Sequence, residues 1–342
     1  MGLDLQAAVG PDRLLYFRAT FMNPPLRIVF FGTPDFAEAS LRALAASEHE
    51  VVGVVTAPDR KAGRGQQLQP SRVKVAAEEL GLPMAQPEKL RNPLFLDILR
   101  SWNADVFAVV AFRMLPEVVW SMPPRGTINV HGSLLPDFRG AAPIQHAVAA
   151  GVNRTGVTSF FITREIDTGG LLLQRAIDVS STDTAGSVYQ RLMAEGAELM
   201  VDTMEALRRC ALDGVPQSLL LDGTERPAPK LFRQNGRVDW RHSPTQVRDF
   251  IRGMTPFPGA WTTLNGATMK LQDARLPGAD EPQPEGLAPG ECRVQDGAFW
   301  VGTASGCVQI QQGQFAGKPF MPILDLLNGY RFPVESLGTD GH

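Results

Sequence analysis

Short apolar runs alternate with helix-forming segments between residues 26 and 209, and this alternation limits the fold more than any other feature of the sequence. Each run has the length and composition of a buried strand. The predicted strands cover 26–31, 51–55, 105–111, 127–130, 157–162 and 171–179. Helices are predicted between them, the longest over 185–209. Strands that alternate with helices in this way indicate an α/β domain with a mainly parallel sheet and helices on both faces.

The sequence changes character after residue 209. Residues 210–230 are rich in Gly, Pro and polar residues without periodicity, which predicts a linker. Beyond the linker, short apolar runs are separated by turn signals such as Asn265-Gly266, the pattern of a small β-barrel, with one helix predicted around 245–253. The predicted organisation is therefore an N-terminal extension predicted to be disordered (1–25), an α/β domain (26–209), a linker (210–230) and a β-barrel domain (231–335).

The sequence argues against a secreted, a membrane-spanning and a metal-binding protein. The N-terminal extension lacks the basic start and apolar core of a signal peptide. Because Met22 stands just before the first strand, residues 1–21 are either an extension or the result of a start assigned too early. No stretch has the roughly 18 charge-free apolar residues of a membrane span. The cysteines Cys210, Cys292 and Cys307 form no Cys-x-x-Cys pattern, which argues against a disulfide framework and a zinc site.

The formal net charge of −3 conceals two basic segments. Residues 226–275 hold nine Lys and Arg against three acidic residues, and residues 59–74 hold five against one. A phosphate group responds to charges within about a Debye length, roughly 10 Å at 0.1 M salt, so the local balance matters more than the total. The two segments indicate either a polyanionic partner or two solvated basic faces, and charge alone leaves both open.

Two polar side chains stand at the end of the predicted strand 127–130, where ligands bind in parallel α/β sheets. Asn129 and His131 are two residues apart, so their side chains point to the same side. An amide donor beside an imidazole suits a reaction in which an oxyanion forms and protons move. The same pair could simply be satisfied polar groups at a strand end. The first strand is followed by Gly32-Thr33-Pro34-Asp35, which is not the Gly-x-Gly-x-x-Gly of dinucleotide binding.

Asp167 supplies a carboxylate in the loop after the predicted strand 157–162, where Gly169 and Gly170 permit tight turns. A carboxylate near an imidazole orients the ring and stabilises its protonated form. An aspartate in such a loop also commonly closes an Asx turn. Spacing alone does not separate the two roles.

Residues 129–136 (NVHGSLLP) and 139–145 (RGAAPIQ) together resemble the signature of the formyltetrahydrofolate-dependent formyltransferases. The likeness extends from Leu26 to about Arg331. It includes FGTPDFA at 31–37, APDR at 57–60, AGRG at 62–65, RVDW at 237–240, TPFPGAW at 255–261 and GK at 317–318. More narrowly, the chain is similar to members that formylate methionyl-tRNA.

The resemblance implies a Rossmann-like catalytic domain followed by a small OB-like β-barrel that binds tRNA. The family's catalytic residues fall on Asn129, His131 and Asp167. Its folate-contacting turn falls on Ser133, Leu134, Leu135 and Pro136. The expected tRNA contacts are Arg64, Lys61, Arg60, Arg237 and Arg248. Where the family commonly has an acidic residue at the end of the aspartate loop, this chain has Gly170, so the hydrogen bonds of that loop are expected to differ.

The resemblance also implies the reaction. The formyl group of 10-formyltetrahydrofolate would pass to the α-amino group of methionine on initiator tRNA, giving formyl-Met-tRNA for translation initiation. The folate is then a co-substrate, and no metal is required. The expected partners are initiator Met-tRNA and the folate, with no membrane partner, and the protein is expected to be a monomer in the bacterial cytoplasm.

Other functions remain open from the sequence. The nearest is formyl transfer to a small amine, either an amino sugar or glycinamide ribonucleotide. The glycinamide enzyme resembles only the first domain, which leaves more than a hundred residues without a role. A formyltetrahydrofolate hydrolase, with water as acceptor, should carry a regulatory domain ahead of the catalytic one. The chain could also be a non-catalytic folate- or tRNA-binding module, against which the three intact polar residues argue.

Overall fold

The computed structural model describes residues 23–62, 67–278, 280–328 and 337, with only the backbone described at 61, 62 and 67. Residues 1–22 of the predicted extension and the predicted contact Arg64 lie outside the described residues. The described chain forms two compact units that interleave along the sequence. The first comprises the residues up to Arg139, Gly156–Ile177 and Arg191–Pro227. The second comprises Gly140–Thr155, Asp178–Gln190 and the chain from Ala228 onward.

Nine strands lie in the described residues before 180. They are β1 (Arg27–Gly32), β2 (Glu50–Val55), β3 (Arg60–Ala62), β4 (Gln67–Gln69), β5 (Met84–Ala85), β6 (Val106–Val110), β7 (Thr127–His131), β8 (Arg154–Phe161) and β9 (Leu171–Asp178). Seven of them form one sheet in the order β5-β2-β1-β6-β7-β8-β9, and β3 pairs with β4 in a separate hairpin. The pairs from β5 through β7 are parallel, whereas β8 runs antiparallel to β7. The predicted mainly parallel sheet is confirmed.

Helices cover both faces of this sheet. They are α1 (Asp35–Ala45), α2 (Arg72–Glu79), α3 (Pro93–Ser101), α4 (Glu117–Trp120) and, later in the chain, α6 (Ala185–Arg209). The short helix α5 (Pro143–Ala149) belongs to the second unit. On one face Val29 and Phe31 of β1 share a buried cluster with Phe95 of α3 and Val119 of α4. On the other face Gly196 of α6 packs against Phe36 of α1 and Val130 of β7.

The alternation along β7 fixes the direction of its two polar side chains. Because Val130 points towards α1 and α6, its neighbours Asn129 and His131 point to the opposite face, the side of α3 and α4. Asn129 lies opposite Val109 of β6 in register, and Val109 belongs to the buried cluster of that face. The carboxyl end of a parallel strand thus presents an amide and an imidazole on one side.

The second unit is a small antiparallel β structure. Its later elements are α7 (Pro244–Gly253), β10 (Ala260–Leu264), β11 (Ala267–Arg275), β12 (Cys292–Gln295), β13 (Ala298–Thr303), β14 (Gly306–Phe315), β15 (Met321–Pro322) and α8 (Ile323–Leu326). The strand order is β10-β11-β14-β13-β12, with β15 paired to β14. Val247 and Ile251 of α7 are buried in one cluster with Phe299 and Ile310. The predicted OB-like β domain after the α/β domain is confirmed.

Within the described ranges, no helix combines the length and the apolar character that crossing a bilayer requires.

Candidate active site

Asn129 and His131 lie at the carboxyl end of β7, about 7 Å apart along the strand. Antiparallel β8 places Phe160 opposite Asn129 and Thr158 opposite His131. His131 is 7% exposed, and its ring meets that of Phe160 edge to face at 6.5 Å between centroids. The imidazole is therefore held in part by packing against Phe160.

The orientation of the His131 ring is set by a backbone carbonyl. Its Nε2 lies 2.9 Å from the carbonyl oxygen of Phe138. Because a carbonyl only accepts hydrogen bonds, Nε2 carries a hydrogen, and the neutral ring keeps its lone pair on Nδ1. That Nδ1 faces the Asp167 Oδ2 at 3.7 Å, close enough for an ion pair when the ring is protonated. The structure thus brings together the two groups that the sequence proposed as partners.

The Phe138 carbonyl is itself held in place by a residue far along the chain. Phe138 has a positive φ of 58°, and its N–H donates to the carbonyl of Arg226 at 2.7 Å. The Arg226 guanidinium lies 4.3 Å over the Phe138 ring and forms an ion pair with Asp137. Sequence patterns offered no signal for this brace, because its partners are almost ninety residues apart.

The Asp167 loop between β8 and β9 is tightly constrained. Asp167 has φ +54°, a left-handed conformation that aspartate tolerates better than most residues. A Cβ at Gly169 would lie 1.7 Å from the Phe161 carbonyl oxygen, so that position requires glycine. Gln217 Nε2 donates to the carbonyls of Asp167 and Gly169, each at 2.9 Å. The conformation of the loop is therefore fixed by close packing at Gly169 and by two hydrogen bonds from Gln217.

The structure also explains Gly170, where this chain departs from the family pattern. A Cβ at Gly170 would lie 3.2 Å from backbone atoms of Gly214, closer than a side chain normally approaches. Leu171 and Val215 exchange backbone hydrogen bonds of 2.8 and 2.7 Å directly beside this contact. A side chain at position 170 would therefore require the Gly214 backbone to move by a few tenths of an ångström.

Asn129 carries a polar atom without a hydrogen-bond partner. In the part of the chain that the structure describes, its Oδ1 is buried and makes no hydrogen bond. An orphaned buried acceptor costs about 1–3 kcal/mol, so folds retain few of them without a functional reason. If the Asn129 side-chain amide rotates by 180°, its NH₂ group takes the position of Oδ1 and can donate a hydrogen bond there.

The predicted folate turn at 133–136 follows β7 directly. Ser133 and Leu135 are buried; the Ser133 hydroxyl donates to the Asp137 carbonyl at 2.7 Å, and Thr158 Oγ1 accepts from the Leu135 N–H at 3.0 Å. Leu134 and Pro136 are half-buried and apolar. The turn is a fixed platform whose polar groups are satisfied internally, and its contact with a folate stays a prediction.

A cavity of about 490 Å³ opens beside the end of β6, the strand that neighbours β7 in the sheet. Its lining consists of Lys89, Leu90, Arg91, Arg113, Met114, Leu115 and Pro116. Burial lowers the pKa of the Arg113 guanidinium, which donates to the carbonyls of Pro87 and Glu88. Sequence reasoning missed these residues, although an arginine and a methionine directly after a buried parallel strand were a usable signal.

The predicted tRNA contacts differ in their surroundings. Arg60 is exposed in the β3–β4 hairpin, whereas the Lys61 side chain and Arg64 lie outside the described residues. In the second unit, Arg237 is exposed with its guanidinium 5.8 Å from the Trp261 ring centroid. Arg248 donates to Asp249 Oδ1 at 2.7 Å, and Arg252 donates to the same oxygen at 2.7 Å, so the three side chains together keep one positive charge. All five remain predictions.

Among the described residues, no group of three or more His, Cys, Asp or Glu side chains is arranged to hold a metal ion. The donor set around Asn129 is one amide, one imidazole and one carboxylate.

Family models match most of the chain. Residues 26–204 match the model "Formyl transferase", and residues 230–331 match "Formyl transferase, C-terminal domain". The "Methionyl-tRNA formyltransferase" of Parabacteroides distasonis is 46% identical over 315 residues, which is 91% of this chain and 97% of that protein. The protein of the same name from Porphyromonas gingivalis is 43% identical over 310 residues, covering 89% of this chain and 96% of that one.

Solved structures show the same fold at low identity. WlaRD, described as a sugar 3N-formyl transferase, superimposes with a TM-score of 0.60 at 14% identity, covering 86% of this chain and 99% of WlaRD. HypX from Aquifex aeolicus, solved with tetrahydrofolic acid, gives a TM-score of 0.57 at 20% identity. That match covers 91% of this chain, which spans about half the length of HypX (48%).

Proposed function

Because the chain belongs to the formyl transferase family, we propose that it transfers the formyl group of 10-formyltetrahydrofolate to the α-amino group of methionine on initiator tRNA. The observation that supports the proposal is that Asn129 and His131 share one side of the carboxyl end of β7, where the His131 ring faces Asp167 at 3.7 Å. The relatives named methionyl-tRNA formyltransferase, which match almost end to end, support the choice of acceptor.

His131 is the proton carrier of the proposed reaction. An α-amine has a pKa near 8, so a usable fraction is already neutral at physiological pH and needs little activation. Once that amine has attacked, it must lose a proton, and the departing N10 of the folate must gain one. The Nδ1 of His131 is the ring atom that takes up and releases this proton, because Nε2 is bonded to the Phe138 carbonyl. The Asp167 carboxylate stabilises the positive charge that the ring then carries.

Asn129 is the proposed stabiliser of negative charge on the formyl oxygen. Its amide lies on the same side of β7 as His131, and its buried Oδ1 makes no hydrogen bond within the described part of the chain. A fixed amide donor aimed at a developing oxyanion contributes on the order of 3 kcal/mol to the transition state. The unpaired Oδ1 lowers the stability of the fold, and we propose that it is retained because the amide acts in the transition state.

The folate is proposed to lie between the turn at 133–136 and the cavity beside β6. Leu134 and Pro136 present apolar surface on one side, and Met114 and Leu115 present it on the other. Both segments follow neighbouring parallel strands, so they meet at the same edge of the sheet. Arg113 supplies a positive charge at the cavity wall.

The acceptor tRNA is proposed to bind through its phosphates and its single-stranded 3′ end. Phosphate contacts position a nucleic acid, and proteins recognise RNA sequence mainly in unpaired nucleotides and not at the base edges of a duplex. Arg60 in the hairpin and Arg237 beside Trp261 are the exposed cations that support this. We further propose the division into an α/β catalytic domain and a tRNA-binding β-barrel, and action as a monomer in the bacterial cytoplasm, where charged initiator tRNA is available.

The direct test is formyl transfer in vitro. The protein is incubated with 10-formyltetrahydrofolate and methionyl initiator tRNA, and formyl-methionine is quantified after hydrolysis of the ester. We expect multiple turnovers on initiator tRNA. Methionyl elongator tRNA, an amino sugar nucleotide and glycinamide ribonucleotide serve as competing acceptors. Faster transfer to either small amine, or release of formate without acceptor, would reject the proposed acceptor.

Binding of tRNA should weaken steeply as salt rises, because phosphate contacts release counterions. We expect a linear fall of log K with log salt, measured by filter binding or fluorescence anisotropy. Arg237→Ala should reduce the slope by about 1 if Arg237 contacts one phosphate. Arg100→Ala, which removes an exposed arginine paired with Asp97 in α3, is the matched control and should leave the slope unchanged. A salt-independent affinity would contradict the phosphate-based model.

A further inference from the structure

Gln217 is buried and makes every hydrogen bond that its carboxamide allows, although it lies in the segment predicted as a linker. It is 2% exposed. Its Nε2 donates to the Asp167 and Gly169 carbonyls, and its Oε1 accepts from Arg139 Nε at 3.0 Å and Nη2 at 2.6 Å. A fully satisfied buried amide that joins three chain segments is a specific structural bridge.

The chemistry of the partners leaves one orientation for this amide. An arginine only donates, so the oxygen of Gln217 must face Arg139. The two carbonyls only accept, so the NH₂ group must face the loop. No other neutral side chain of similar length supplies two donors and one acceptor in this arrangement. A glutamate would keep the contact with Arg139 but would turn an oxygen towards two carbonyl oxygens.

The Gln217 amide is linked at one end to the backbone that orients His131 and at the other end to the backbone of Asp167. Arg139 directly follows Phe138, whose carbonyl orients His131. At the other end, Gln217 holds the backbone of Asp167 itself, in a left-handed conformation that needs outside support. The backbone just before Gln217 is tied to the end of the same loop by the exchange of hydrogen bonds between Val215 and Leu171.

We propose that Gln217 is a positioning residue which, together with Arg139, sets the distance between the Asp167 carboxylate and the His131 ring. The inference rests on the proposed function, because the Asp167–His131 pair is useful only in a reaction that moves a proton. Gln217 does not touch the reacting atoms. Its effect on the reaction passes through Asp167.

The first test is steady-state kinetics of two variants. Gln217→Leu removes all of the hydrogen bonds at similar volume, and Gln217→Glu keeps only those from Arg139. A misplacement of about 1 Å can cost about 10²-fold in rate, so we expect kcat to fall roughly 10–100-fold in both variants with the folate KM changed less than about threefold. Leu44→Ala, which opens a cavity in the core of α1, controls for lost stability.

The second test is a double-mutant cycle with Asp167→Ala. If Gln217 acts through Asp167, then Gln217→Leu should lower kcat no further in the Asp167→Ala background. A general structural role would lower kcat by the same factor in both backgrounds. Full kcat in Gln217→Glu, additive effects in the cycle, or an equal loss in Leu44→Ala would each overturn the inference.

A third measurement is independent of activity. Hydrogen–deuterium exchange of the substrate-free protein should become at least about tenfold faster in residues 163–170 of Gln217→Leu and stay unchanged in α1. Unchanged exchange in that loop overturns the inference. An inactive wild-type protein would instead refute the proposed function, and the exchange measurement would still decide whether Gln217 holds the loop.

Discussion

Replacing His131 by alanine is expected to lower kcat by about 10²–10⁴-fold, the usual contribution of a positioned proton carrier. The ring is held by the Phe138 carbonyl at Nε2 and faces Asp167 at Nδ1, so its removal takes away the group proposed to accept and return the proton. The folate KM should change little, because proton transfer matters in the transition state and not in binding. Single-turnover formyl transfer, measured by rapid quench, isolates this step from product release.

The matched control is His146→Ala. His146 also bonds a backbone carbonyl through Nε2, that of Pro229 at 3.0 Å, but it belongs to α5 of the second unit. Its loss should change kcat less than about twofold. Near-normal turnover in His131→Ala, with a normal unfolding transition, would remove His131 from the mechanism. A loss in His146→Ala as large as that in His131→Ala would show that the assay reports folding.

Replacing Asn129 by alanine should lower kcat by about 10²–10³-fold without lowering stability. The rate falls because the amide donor to the formyl oxygen is lost. The free energy of unfolding should stay the same or rise, because the buried Oδ1 that lacks a partner in the described protein disappears with the side chain. Single-turnover kinetics and urea unfolding measure the two effects on the same preparations.

The control for Asn129 loses stability without losing activity. Ser243→Ala removes the cap of α7, where the Ser243 hydroxyl accepts from the Gln246 N–H, and should cost about 1 kcal/mol while kcat is unchanged. Opposite responses of the two variants would separate a functional polar group from a structural one. If Asn129→Ala instead destabilises the protein and keeps its kcat, Asn129 is a structural residue.

Local patterns were sufficient for most of the first unit. Apolar runs predicted β1, β2, β6 and β7 to within about a residue, and α6 was predicted with the bounds it has, Ala185–Arg209. The helix α3 was missed, although Asn92 caps it and Pro93 starts it, because its apolar residues lie close to turn-forming ones. The β3–β4 hairpin lies between 55 and 72, where no strand was predicted, since short exposed strands carry no apolar period.

The sequence by itself determined that Asn129 and His131 point the same way, because side chains alternate along any strand. It also determined the family, through motifs that occupy contiguous residues. Only the tertiary structure decided which nitrogen of His131 bonds the backbone, which one faces Asp167, and what holds Asp167. Those answers depend on Phe138, Arg226 and Gln217, and the bonds from Gln217 span 50 and 78 residues. No local period encodes such contacts, because they form only after the chain has folded back on itself.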